Sequence, residues 1–226
     1  MKVAIVAFAL LLGLGLTAPA GAVVLYLDWG LTDGIAGGTV GGQVWGAQVG
    51  AFVGYVGGPG GDATGYLYCA DITTDAGLGA SHDYDLYDTS HPDLNGTIPN
   101  GTERGNGGTA AWIYRTYGAS PGSADQAGAT QIAIWEVLYD TDYDLATGNF
   151  LVDSWGFGFD YDLAQDIVSA AQGQWSSAGY YRSISGSGQD LIGPVPEASS
   201  LLLLGTGLIG TGMAAWRRRR AAAKTS

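Results

Sequence analysis

The stretch QVGAFVGYVGGPGGDATGYLYCA, Gln48 to Ala70, decides the fold. Gln48 to Val56 interleaves valine and aromatic residues with glycine, Pro59-Gly60-Gly61 is a turn, and Thr64 to Ala70 resumes the β-type pattern. This is strand, turn, strand. Upstream, Thr39 to Trp45 reads as a strand with glycine bends and Val23 to Asp28 as a first strand. A flexible glycine linker over 30–61 is the competing reading, and the regular valine and aromatic content argues against it. Downstream, Asp71 to Gly107 is rich in Asp, Gly, Asn and Thr. It reads as a long loop that folds over the core or is held by an ion, because structureless loops of that length are unusual in compact domains. Helices are expected over Gly108 to Tyr117, from about Asp125 to Tyr139, and over Asp160 to Trp175. In the second, Ile132, Trp135 and Tyr139 form one stripe, and Gln131, Ile134 and Leu138 its neighbour. Glu136 is placed on the solvated side. Tyr180 to Ser185 reads as a last strand. Strands, then helices, then a strand imply an α+β fold, a β-sandwich or barrel-like layer of strands with a small helical subdomain.

Charge narrows the function. The 226-residue chain has a formal net charge of −12, and its positive residues sit mostly at the two ends. Between Val23 and Gly193, 20 acidic residues face three arginines, Arg104, Arg115 and Arg182, and no lysine. Such a surface excludes phosphate-backbone binding, and nucleic acid with it. Six of the seven tryptophans lie in the same stretch. Disordered acidic chains are poor in aromatics, so this segment folds.

The ends fix the compartment. Residues 1–22 read as a signal peptide: Lys2, an apolar run from Val3 to Leu16, then small residues around Ala18, Ala20 and Ala22. At the other end Pro196-Glu197 precedes the uncharged segment 198–216, and Arg217, Arg218, Arg219 and Arg220 follow. Nineteen residues at ~1.5 Å each span roughly 28 Å, enough to cross a bilayer core as a transmembrane helix. The arginines act as a stop-transfer cluster that stays cytoplasmic. The expected order is therefore signal peptide 1–22, exported domain 23–186, spacer and sorting motif 187–197, transmembrane helix 198–216 and basic tail 217–226. This end resembles the PEP-CTERM sorting signal of Gram-negative bacteria, with Ala198 where the second proline is usual. The resemblance implies an exosortase as partner, cleavage near Pro196-Glu197, and release to or display at the cell surface. It also implies association with exopolysaccharide and the biofilm matrix.

Cys69 is the only cysteine, so no internal disulfide is available to it. On position alone it is an inert core thiol. It is read together with Thr130-Gln131-Ile132-Ala133-Ile134-Trp135. That stretch, with Tyr68-Cys69 before it, Ala111 to Tyr117 between, and Glu136-Val137 after, resembles the TQxA thioester domains of Gram-positive surface adhesins. The resemblance implies a thioester in which Cys69 supplies sulfur and Gln131 the acyl carbon, with Tyr68, Thr130, Ala133 and Trp135 around it. An amine on a partner would open it, leaving an amide, so adhesion would be covalent. This is a single attachment event, and no enzymatic turnover is expected. The alternative is a passive exopolysaccharide or matrix protein without the bond.

No cofactor is expected and no metal set is assigned. His82 to Asp88 with His91 does not match a zinc spacing. Asp140, Asp142 and Asp144 alternate as calcium loops do, but Leu145 and Leu151 stand where an EF-hand needs Gly and Glu. A calcium site of another kind is the lesser reading. A thiol hydrolase pairing Cys69 with His82 or His91 lacks any surrounding signature.

Overall fold

The computed structural model describes residues 20–94, 105–155, 159–184 and 188–195. Among these residues seven strands form one antiparallel sheet: β1 (Ala20–Val40), β2 (Gln43–Val56), β3 (Asp62–Cys69), β4 (Ser81–Asp88), β5 (Phe150–Trp155), β6 (Gly179–Ser183) and β7 (Leu191–Gly193). The order β2-β3-β7-β6-β4-β1 closes on itself because β1 also pairs with β2. The result is a six-stranded antiparallel barrel, which leaves few open edges. β5 extends it by pairing with the second half of β1, Ala36 to Val40. The fold is the expected β-rich α+β class.

Among the described residues three α-helices pack on this barrel: α1 (Gly107–Ile113, running into a π-turn at Tyr114–Gly118), α2 (Ala124–Tyr139) and α3 (Tyr161–Ala171). Ser123 caps α2 by accepting from the Gln126 amide at 3.1 Å, and Asp160 caps α3 by accepting from the Leu163 amide at 3.0 Å. α2 is buried from Ala127 to Tyr139 without a break. It lies against β1, β2, α1 and α3 and is the central element of the core. Trp135 anchors it, edge-on to Trp45 at 5.5 Å, while Trp45 stacks on Phe150 at 5.3 Å.

Five expectations are corrected. Thr39 to Trp45 is not one strand but the β1–β2 hairpin, which turns at Gly41-Gly42 and pairs Val40 with Gln43. Asp71 to Gly107 is not one loop, since β4 lies within it and completes the barrel between β1 and β6. Its core residues alternate, with Tyr84 and Leu86 buried and Asp83 and Asp85 turned outward. Aspartate is a poor strand former, and its abundance hid the period-2 signal. The segment read as spacer from 187 contains β7, which pairs with both β3 and β6. α3 ends at Ala171 rather than Trp175, with Gly173 at φ 71° just beyond it. Glu136 is fully buried, not solvated. Burial first, then the Asp140 and Asp142 carboxylates, push its carboxyl up to about 9.

Among the described residues no helix is long and apolar enough to cross a membrane. The segment 198–216, Pro196, Glu197 and Arg217 to Arg220 lie outside them, as does all of the leader but its last three residues.

Candidate functional site: Cys69 between two glutamines

Cys69 is the last residue of β3. It pairs with Leu191 of β7, and the Ala70 amide donates to the Asp190 carbonyl at 2.7 Å. In an antiparallel ladder the backbone groups of successive residues point to opposite sides. Those of Cys69 therefore point away from β7, toward β2. The β2–β3 pairing has ended by then, its last partners on that side being Phe52 and Leu67.

Gln131 of α2 takes the place of the missing strand. Its Nε2 donates to the Cys69 carbonyl at 2.9 Å, and its Oε1 accepts from the Cys69 amide at 2.8 Å. Both ends of the carboxamide are thus used on one residue's backbone, and Gln131 is 1% exposed. Two turns on, the Tyr139 hydroxyl accepts from the Ile72 amide at 3.2 Å and donates to the Ala70 carbonyl at 3.4 Å. Residues 131, 135 and 139 therefore form the helix face that meets the Cys69 segment, where Ile132 had been expected beside Trp135 and Tyr139. The i, i+4, i+8 spacing explains their alignment.

The thiol faces another glutamine. Cys69 Sγ donates to Oε1 of Gln189, whose Nε2 donates in turn to the Asp71 carbonyl. Register accounts for this. Leu191 is opposite Cys69, so Gln189, two residues earlier, is its diagonal neighbour on the same face, within reach of a long side chain. Gln189 was missed because its surroundings, Ser-Gly-Ser-Gly-Gln, read as spacer. The signal that could have found it is Leu191-Ile192-Gly193, a short apolar run after the glycine-serine stretch.

The two side chains form part of the floor of an open cavity of about 380 Å³. Trp135, Phe52 and Ile72 supply apolar walls, and Asp75 is the ionisable residue of its lining other than Cys69. Cys69 itself is 3% exposed. Burial first, then the Asp71 and Asp75 carboxylates, push its thiol well above the ordinary range, so it is held neutral.

The remaining expected site residues divide. Trp135 lines the cavity. Tyr68 alternates to the opposite face of β3, edge-on to Tyr114. Thr130 lies near it: a Cβ on Gly118 would come within 2.8 Å of the Tyr68 ring and 3.1 Å of the Thr130 methyl. These two residues fix how the π-turn packs on β3 and α2 rather than covering the thiol. Ala133 is fully buried in the core. His82 Nε2 donates to the Gly77 carbonyl at 2.9 Å, and the His91 ring lies tilted against Tyr87 at 4.0 Å, so each ring is engaged elsewhere.

No curated protein matches the chain. A solved structure described as the N-terminal thioester domain of a surface protein from Clostridium perfringens is similar over 72% of this chain and 98% of that one, at 13% identity and a TM-score of 0.39. A likeness at that TM-score adds nothing to what the side chains show by themselves. Residues 194–220 match the PEP-CTERM protein-sorting motif, a substrate signal for exosortase that marks the chain for export and processing at the membrane.

Proposed function

We propose that this is an exported surface or matrix protein, sorted by an exosortase, that couples covalently to an amine-bearing partner through a thioester between Cys69 and Gln189. The contact between the Cys69 thiol and the Gln189 carboxamide, beside an open cavity, carries the reading. Gln131 is reassigned from acyl donor to backbone clamp, since its carboxamide meets the Cys69 amide and carbonyl and not the sulfur.

The step balances without an outside reactant. Sγ attacks Cδ of Gln189, the Sγ–Cδ bond forms, the Cδ–Nε2 bond breaks, and Nε2 leaves as ammonia with the thiol proton. A neutral thiol and a neutral product suit a site this buried. A partner's amine, entering through the cavity, then attacks Cδ. The Cδ–Sγ bond breaks, an amide forms on Gln189, and Cys69 regains a proton. Each molecule reacts once, as in attachment rather than turnover. Trp135 and Phe52 limit water at the carbon until a partner docks.

The tail completes the proposal. The segment 198–216 holds the chain as a membrane helix, with Arg217 to Arg220 on the cytoplasmic side, until processing near Pro196-Glu197 displays the domain at the surface or releases it to the matrix. The test is the mass of the chain before and after methylamine. A thioester gives a mass lower by one ammonia that rises by one methylamine and exposes a thiol. A mass equal to the plain sequence leaves the passive exopolysaccharide-matrix role.

A further inference from the structure

A second cluster lies at the far end of α2. Glu136 is on its last turn, Asp140 follows the helix directly, and Asp142 is in the loop leading to β5. One carboxylate oxygen from each lies within 4.8 Å of the others. Oxygens sharing one calcium ion at about 2.3–2.6 Å can be at most about 5 Å apart, a limit the three satisfy.

Glu136 distinguishes this cluster from a solvated acidic loop. It is 0% exposed, its Oε1 accepts from the Asp144 amide at 3.1 Å, and among the described residues no donor reaches its Oε2. A buried carboxylate oxygen without a donor is costly and calls for a partner. The described arginines do not supply one, since Arg182 pairs with Asp93 at 2.9 Å and Arg115 reaches the Ser177 carbonyl. The loop also packs close to the acids. A Cβ on Gly148, at φ 85°, would fall 2.2 Å from Asp140 Oδ2 and 2.4 Å from Asp142 Oδ2. The backbone comes so near both carboxylates that only glycine fits.

We propose that Glu136, Asp140 and Asp142 bind a divalent cation, calcium, which ties the C-terminal end of α2 to the loop entering β5. Hard carboxylate oxygens with no nitrogen or sulfur ligand select calcium over a transition metal, and calcium accepts irregular geometry more readily than magnesium. The affinity expected is that of extracellular modules, a Kd of about 0.1–1 mM. The site uses residues separate from Cys69 and Gln189 and stands whether or not the thioester forms.

The test uses the full chain in detergent, stripped with EDTA and melted with and without about 10 mM calcium chloride, with magnesium chloride as comparison. Calcium raises the Tm by several degrees and magnesium by less. Glu136→Gln melts in EDTA close to the wild type, because without the ion the Glu136 carboxyl is already held neutral, and loses the calcium response. Asp142→Asn, on the exposed part of the loop, raises the calcium midpoint about ten-fold or more, and it decides the matter if Glu136→Gln fails to fold. A wild type indifferent to calcium overturns the proposal. So does a shift retained in full by both variants, or an equal magnesium shift that survives both, since either marks general screening of an acidic surface.

Discussion

Gln131 binds the backbone of Cys69 through two hydrogen bonds, 2.8 Å to its amide and 2.9 Å to its carbonyl, and so acts as a one-residue strand where β2 has already turned away. This fixes the end of β3 without engaging the thiol, which is left to Gln189. One glutamine positions the cysteine and the other meets its sulfur.

Gln131→Ala leaves a buried amide and a buried carbonyl without partners. The expected loss is about 2–6 kcal/mol of unfolding free energy, since each of the two stranded groups costs about 1–3 kcal/mol. Urea denaturation of the Cys69→Ala background checks this free of any covalent link. A loss below about 0.5 kcal/mol, the scale of a neutral surface change, contradicts the clamp role.

Gly118→Ala forces a methyl to within 2.8 Å of the Tyr68 ring, which is fully buried and cannot swing aside. Overpacking of this kind costs about 1–3 kcal/mol. The urea midpoint should fall with an unchanged slope. A midpoint at or above that of the wild type would show that the π-turn adjusts freely.

The neutral thiol gives a pH prediction. In Gln189→Ala no thioester can form at that position, and Cys69 remains a buried thiol pushed well above the usual range. Iodoacetamide reacts with thiolate, so native labelling at pH 8 should be far slower than labelling in urea. It should keep climbing with pH beyond the point where an ordinary thiol levels off. Labelling that levels off near the ordinary cysteine value contradicts the buried, acid-flanked environment.

Much of the barrel was legible. Gln48 to Ala70 read as strand, turn, strand because valine and aromatic residues mark the register and Pro59-Gly60-Gly61 marks the reversal. α2 was placed nearly to the residue, since Ser123 caps it and Asp140 leaves the helix in extended backbone. β4 was not legible, because its inward residues are separated by aspartates. Gln189 was not either, because its position beside Cys69 depends on a three-residue strand pairing across 122 positions of chain, from Cys69 to Leu191. Local patterning carries no information about so distant a partner. The TQxA resemblance paired Gln131 with Cys69 as acyl donor, whereas its carboxamide meets the Cys69 backbone through two hydrogen bonds, a matter of tertiary geometry.

Trp135→Phe keeps the helix buried while removing part of the cavity wall beside the thiol. Spontaneous hydrolysis of the thioester, followed by mass over time, should quicken several-fold as water gains access. The same substitution also trims the edge-on contact with Trp45, a contact worth about 0.5–1.5 kcal/mol in full. A hydrolysis rate unchanged from the wild type would place the water barrier elsewhere.

The central claim is that sulfur joins Gln189 and not Gln131, and intact mass tests it most directly. The wild type, Gln131→Ala, Gln189→Ala and Cys69→Ala chains are weighed under denaturing conditions after native purification. The account predicts a mass lower by one ammonia in the wild type and in whatever fraction of Gln131→Ala folds, and full sequence mass in Gln189→Ala and Cys69→Ala. A deficit that persists in Gln189→Ala and vanishes in folded Gln131→Ala would contradict it and return the acyl carbon to α2.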